Sequence, residues 1–380
     1  MWHADGANLS LLGGKLLVRF PQGPPLEQYK RGQAIAELFG DAAEAAFCQR
    51  LVVHWLSHTE FKQDEGIPLL EASARGYQAL GDKFYAAQVL DDLGWSFKLT
   101  TELEREEPTI RESLDLRREI GDKIGEGNSL RNLGGTFPAF LDGSDRAITH
   151  WEAAKKIAYE GKDRVNVAWT ASLIACNLIF KAEYERAEQY LQEAYPLAVD
   201  LNHRVVKSYI TLQRGMIALL RDNDFASLEG LVTERLPPDL MDGFFLFYFT
   251  FLTSLVACAL GDTAMLRRAA NTIFKKAPGI INGLLAPTLL AARITQFADR
   301  GENERAAELL HAYWHTTPTF EGRSIAMAWT RHWTLLQDLR ARLEAKLGSE
   351  AYAAAVKRGE ALPESELKRE ARAFLDELLR

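Results

Sequence analysis

The chain has 380 residues, 47% of them hydrophobic and 26% charged, with a formal net charge of −7 and a pI near 5.7. This mild acidity argues against nucleic-acid binding, because the basic residues are scattered as pairs such as Lys155-Lys156, Arg267-Arg268 and Lys275-Lys276 and form no stripe. Three cysteines, Cys48, Cys176 and Cys258, lie far apart in apolar runs; an odd count without CxxC spacing excludes a disulfide framework and fits a reducing cytoplasm.

At the N-terminus, polar Met1 to Asn8 is followed by an apolar run, Leu9 to Phe20, broken by Gly13-Gly14. It lacks a basic leader with a cleavage site, so no signal peptide is expected, and residues 1–32 are expected to form a connector. From there the chain repeats itself. Turn-like positions recur at Gly40-Asp41, Gly81-Asp82, Gly121-Asp122, Gly161-Lys162, Asn202-His203, Asp242-Gly243, Asn282-Gly283 and Gly322, in steps of 40 or 41 residues. A second ladder lies midway, at Lys62-Gln63, Thr101-Glu102, Asp142-Gly143, Ala182-Glu183, Asp222-Asn223, Gly261-Asp262 and Gly301-Glu302. Gly, Asn and Asp tolerate the left-handed backbone that ends a helix, so two such points per period predict a helical hairpin stacked on its neighbours.

The spacing predicts first helices over 42–61, 83–100, 123–140, 164–181, 204–221, 244–260, 284–300 and 324–346. Second helices are predicted over 66–79, 106–119, 145–160, 185–200, 225–235, 263–276 and 303–315. Ile148, Trp151, Ala154 and Ile157, like Ala187, Leu191, Ala194 and Leu197, follow the spacing of one buried helical stripe. Phe244 to Leu260 tests this reading, since its 17 uncharged residues include six aromatics and 17 is the lower limit for a membrane span. Thr250, Thr253 and Ser254, the flanking Asp242 and Asp262, and the 40-residue register favour a helix buried between repeats, and no membrane association is expected.

Small residues recur where two helices must approach: Leu93-Gly94 and Leu133-Gly134, each followed by Phe97 or Phe137, with Arg146-Ala147, Arg186-Ala187 and Arg305-Ala306 in the same phase. This order resembles the tetratricopeptide (TPR) pattern stretched from about 34 residues to 40; the HEAT and armadillo period also fits, but the Leu-Gly-x-x-Phe step favours the former. The fold expected is all-α: a right-handed TPR-like superhelix (α-solenoid) of about eight hairpins over 33–349, with a helical cap over 350–380, and no internal domain boundary.

Two units, GYQALGDKFYAAQVLDDLGWSF (Gly76 to Phe97) and SLDLRREIGDKIGEGNSLRNLGGTF (Ser113 to Phe137), resemble the long TPR arrays that form the sensor portion of bacterial signal-transduction ATPases with numerous domains, the STAND class. The stretch KLGSEAYAAAVKRGEALP (Lys346 to Pro363) is similar to the tail that closes such regulators. The resemblance implies a sensor that holds an ATPase off until an inducer binds, with that inducer and the N-terminal ATPase module as its partners. A phosphate-cradling GxxxxGK[ST] loop is missing, since Gly14-Lys15 is followed by Leu16 and Gly161-Lys162 by Asp163. The resemblance therefore implies the sensor region alone. A stand-alone TPR receptor or scaffold is the alternative.

Catalysis finds no motif, and neither a cofactor nor a metal is expected. His54 with His58 and His311 with His315 have the i, i+4 spacing of paired zinc ligands, but neither pair has an HExxH glutamate or an evident third ligand. No GxSxG elbow is present. An inner cavity built around Asp91 with His54 or His58 is the enzyme alternative.

In a TPR superhelix the first helices line the concave side. Setting Gly94 as the small-residue position, the place six residues earlier reads Cys48, Gln88, Asn128, Trp169, Tyr209, Phe249, Leu289 and Trp329. The place after it begins Trp55, Trp95 and Gly135. Polar Gln88, Asp91, Lys98, Asn128 and Arg131 thus gather with Trp95 in the early repeats, and aromatic Trp169, Tyr209 and Trp329 follow. Such a groove suits a peptide or a small amphipathic molecule. The aromatic stripe reads equally as core packing, above all at Tyr209 and Phe249.

Overall fold

The computed structural model describes residues 25–58, 63–100, 102–136, 144–222, 224, 243–276, 286–315, 319–320, 323–324 and 333–380. Among these residues the protein is helical apart from one small hairpin. The contacts divide it into two compact units, Met1–Thr136 and Phe137–Arg380, where the sequence reading expects a single array without a boundary.

The first unit contains α1 (Pro25–Leu38), α2 (Ala42–His58), α3 (Gln63–Ala79), α4 (Lys83–Thr100), α5 (Leu103–Glu119) and α6 (Lys123–Gly134). Each helix packs on the next, and α4 also touches α2 and α6. Residues 25–32 are therefore part of the first hairpin and not of a connector; their helix starts on Pro25 and ends at the left-handed Gly40. The second unit contains α7 (Ser144–Glu160), α8 (Arg164–Phe180), α9 (Tyr184–Asp200), α10 (Arg204–Asp222), α11 (Gly243–Leu260), α12 (Thr263–Lys276), α13 (Ala286–Asp299), α14 (Asn303–His315), the hairpin β1 (Thr319–Phe320) and β2 (Arg323–Ser324), α15 (Thr334–Glu360) and α16 (Glu364–Leu379).

One turn recurs and explains the period. At Gly40, Gly81, Gly121, Gly261 and Gly301 the backbone enters the left-handed region, with φ between 66° and 83°. There the amide three residues past the last helical residue reaches back to close the helix: Asp41 N donates to the Ala36 carbonyl, Asp82 N to Tyr77 and Asp122 N to Arg117, each at 2.9 Å. That same aspartate then starts the next helix. Its side chain accepts from Glu44 N at 3.0 Å in the first turn, Tyr85 N at 3.0 Å in the second and Gly125 N at 2.9 Å in the third. Asp163 and Asp262 do the same for Asn166 N and Met265 N. A Gly-Asp dipeptide thus satisfies the orphan groups of two helices with two residues. Ion pairs join some neighbouring turns, Lys83 with Glu119 and Arg164 with Asp200.

The core follows the predicted stripes at Trp151, Ala154, Ala187, Leu191 and Ala194, whereas Ile148, Ile157 and Leu197 are only half-buried. Ala147, Ala187 and Ala306 are all fully buried, as are Leu191, Ala194 and Leu133, while Trp151 and Phe97 are nearly so. Gly94 is where α4 and α5 meet: a Cβ there would lie 2.3 Å from Ile110 Cγ1. None of the helices among the described residues is long and apolar enough to cross a membrane; in α11, Phe251, Leu252, Leu255, Val256 and Ser254 are all buried against protein.

The end of the chain differs from expectation. A first helix was expected over 324–346, but Arg323 and Ser324 pair antiparallel with Phe320 and Thr319 across a two-residue connection, and the helix starts only at Thr334. It runs on to Glu360, broken at Gly348, whose φ of 74° and ψ of 163° are closed to other residues. The expected cap over 350–380 is the rest of α15 together with α16, which folds back on α12, α13 and α14. There Arg293 of α13 pairs with Glu377 at 2.9 Å, and Arg305 of α14 with Glu366 at 2.6 Å and Glu370 at 2.7 Å. The repeat points 142–143, 242 and 282–283, the helix expected over 225–235 and Trp329 lie outside the described residues.

Among the described residues three non-glycine residues take the left-handed turn position, Lys162 at φ 56°, Ala182 at 58° and Asn202 at 48°. An alanine there costs about 1–2 kcal/mol, of which glycine's looser unfolded chain returns about half. Ala182→Gly is expected to raise stability by about 0.5–1 kcal/mol, and Gly81→Ala to lower it by a similar amount. Urea denaturation of the full chain reads both, and an unstabilised Ala182→Gly would contradict the strain.

Candidate functional site

The early-repeat residues come together as one face of the first unit. Gln88, Asp91, Trp95 and Lys98 follow the i, i+3, i+7, i+10 stripe of α4, and Asn128 and Arg131 lie on the neighbouring first helix, α6. Gln88, Trp95, Lys98, Asn128 and Arg131 are half-buried, with part of each side chain in solvent. Lys98 is tied down: its Nζ donates to the Gly135 carbonyl, capping α6, and stands 5.5 Å from the Trp95 ring centroid. Gln88 and Asn128 occupy the same place in successive repeats. Among the described residues neither amide side chain has a hydrogen-bond partner.

Asp91 differs from its neighbours, being buried at 7% exposure. One carboxylate oxygen accepts from Arg117 Nη2 at 2.9 Å and from Ser129 Oγ at 3.1 Å. Arg117 in turn donates through Nη1 to Asp122 at 2.7 Å, the residue that caps α6. Ser113 donates to the Ala87 carbonyl at 2.8 Å and lies 3.0 Å from Ser129 Oγ. Burial pushes the Asp91 carboxyl above its ordinary value, against the pull of Arg117 and Ser129. Gly125 makes room for this network, because a Cβ there would sit 1.9 Å from Arg117 Nη1. Asp91 is thus a support beneath the face and not part of its surface. The network was missed in sequence, where Asp122 was read only as part of a turn and Arg117 was not singled out; the available hint was serine at positions 113 and 129.

The later aromatics separate. Tyr209 is fully buried, so its place as a groove residue gives way to packing: its ring sits 5.4 Å from that of Trp169, which is half-buried. Trp329 and the Phe249 side chain fall outside the described residues. The second unit has a surface hollow of about 390 Å³ lined by Glu152, Lys155, Tyr159 and Glu193. Its charges are already paired, Lys155 with Glu193 at 3.0 Å and Glu152 with Tyr190.

The histidine pairs make no metal site that can be described. Among the described residues no three His, Cys, Asp or Glu side chains converge, and the side chains of His54 and His58 are not among them. His311 Nε2 instead lies 2.7 Å from Tyr352 Oη, with the Trp314 ring edge-on. Burial, then Arg340, lowers its pKa. The cysteines are free and buried, and burial pushes the Cys48 and Cys258 thiols up to about 12, which suppresses their thiolates at neutral pH.

The sequence matches no family model and no curated protein.

Three outcomes are expected. Gly94→Leu destabilises the full chain by about 1–3 kcal/mol through overpacking against Ile110. Asp91→Ala costs about 3 kcal/mol by leaving Arg117 half-paired, whereas Gln88→Ala changes stability by less than about 0.5 kcal/mol. Because folded His311 holds its proton less tightly than the unfolded chain does, its contribution is complete above pH 6.5 and declines as pH falls below that value. Melting points measured across that range should lose this component in His311→Gln.

Proposed function

We propose that this protein is a ligand-binding helical-repeat module that takes a peptide or small amphipathic inducer on the α4–α6 face. The observation that supports it is the pair of partnerless amides, Gln88 and Asn128, in equivalent places on adjacent first helices, beside Trp95, Lys98 and Arg131. Side-chain amides both donate and accept, so two of them one repeat apart suit the alternating groups of an extended peptide backbone. Trp95 would supply an apolar wall, and Lys98 and Arg131 positive charge for a carboxylate. The buried Asp91–Arg117–Ser129 network holds the two helices in register, which lowers the ordering cost of binding.

In this reading the face is the concave side of a right-handed TPR-like array, the protein is the sensor of a STAND-type ATPase, and occupancy of the face releases that ATPase; its role is recognition and not chemistry. The likeness of the segments at 76–97 and 113–137 to such sensors supports the ATPase context.

Two measurements test this. An immunoblot of the source cell against this segment is expected to show a band of about twice 42.6 kDa or more, the size an added ATPase of ordinary domain length requires; a band at 42.6 kDa would replace the ATPase sensor with a stand-alone receptor or scaffold. A thermal-shift screen of cell extract fractions is expected to find a stabilising fraction whose effect is lost in Gln88→Ala/Asn128→Ala and in Trp95→Ala. Equal shifts in those variants would remove the face from the proposal.

A further inference from the structure

The turns of the first unit present apolar side chains to solvent. The residue before each left-handed glycine is Phe39, Leu80 or Ile120, exposed by 80%, 51% and 40%; Leu38 is exposed by 81%. Three residues after two of these glycines stand Phe84 and Ile124, exposed by 42% and 67%. Turn chemistry does not need them: the left-handed residue supplies the backbone and the next residue the cap, so the flanking positions are free to be polar, as Arg300 before the left-handed Gly301 and Glu304 three residues after it are. Isolated exposed apolar residues need no explanation, but three in the same place before the glycines of three turns of one ladder, with two more repeated three residues after, do. The Lys83–Glu119 ion pair links the second turn, which carries Leu80 and Phe84, to the third, which carries Ile120 and Ile124. With first helices spaced about 10 Å apart, the row runs for roughly 20 Å along one edge.

We propose that this row is the interface between two copies of the chain, related by a two-fold axis at the second turn. Covering the six side chains removes on the order of 700 Å² of apolar surface per copy, close to the roughly 800 Å² per partner of a stable complex. The charges select the orientation. The first turn carries Glu37, Asp41 and Glu44 and has Ala42 where the later turns have Lys83 and Lys123. The third turn carries Arg118 and Lys123, which share Glu126 yet keep 51% and 76% of their side chains in solvent, while its other acids are already paired, Glu119 with Lys83 and Asp122 with Arg117. A two-fold axis through Leu80 and Phe84 sets the acidic first turn of each copy against the third turn of the other, so every pairing occurs twice. An anionic membrane is the poorer occupant, because Glu37, Asp41 and Glu119 line the same edge as the lysines.

Sedimentation equilibrium of the full chain across the micromolar range tests this. The expected mass is twice 42.6 kDa. Phe84→Glu and Ile124→Lys, both at exposed positions, are each expected to weaken association at least about tenfold with an unchanged circular-dichroism melt. Glu37→Lys and Lys123→Glu are expected to weaken it singly and restore it together, which no general loss of apolar surface would do. A monomer at all these concentrations overturns the proposal. So does a dimer indifferent to Phe84→Glu and Ile124→Lys. A monomer that dimerises once residues 1–24 are deleted would show the row covered by the chain's own N-terminal segment, and would overturn it equally.

Discussion

The rest of the structure depends on a two-residue turn in which one residue accepts a left-handed backbone and the next hydrogen-bonds in both directions. Closing a helix and opening the next normally asks separate residues to satisfy separate sets of orphan amides and carbonyls. Here Asp41, Asp82, Asp122, Asp163 and Asp262 each serve both ends. With so short a connection, consecutive helices have little choice but to lie antiparallel and in contact, and the apolar stripe of each is covered by its neighbours. The stripe alone would permit many arrangements; the turn removes most of them.

Within the first unit a second constraint acts. Asp91, Arg117, Asp122, Ser113 and Ser129 link α4, α5 and α6 through buried hydrogen bonds, and one of them, Asp122, belongs to the turn itself. A buried ion pair adds little net stability over an apolar substitute, but it has few alternative geometries. That suits the recognition proposed for Gln88 and Asn128, whose amides would need correct spacing more than strength.

The helices were legible because glycine, asparagine and aspartate at a fixed period have a backbone meaning. Thus α4 over Lys83–Thr100 agrees with the reading at both ends, and α2, α8 and α10 agree within a few residues. The failures have physical causes too. The helix expected from Ser324 lost to a local hairpin, which no period of 40 can reveal. Asp91 and Tyr209 were assigned to a groove because helical phase says which face a residue occupies but not whether a neighbour covers that face. Arg117 was overlooked because a buried cation is recognisable only with its acceptors, and those lie 26 residues before it and 5 after it. The exposed row at Phe39, Leu80 and Ile120 went unnoticed because sequence does not say whether an apolar residue beside a helix end is covered.

The docking of α16 sets an order of events during synthesis. Most helices find their partners within the next few tens of residues, so hairpins can form as they leave the ribosome. Arg293 is different, since its carboxylate partners Glu370 and Glu377 follow 77 and 84 residues later. At roughly 5–20 residues per second, α13 waits on the order of 4–16 s with a largely buried guanidinium and an apolar face still without their cover. That interval is when a nascent chain would be most exposed to wrong association, and when a chaperone binding apolar helical surface would find its target on this protein.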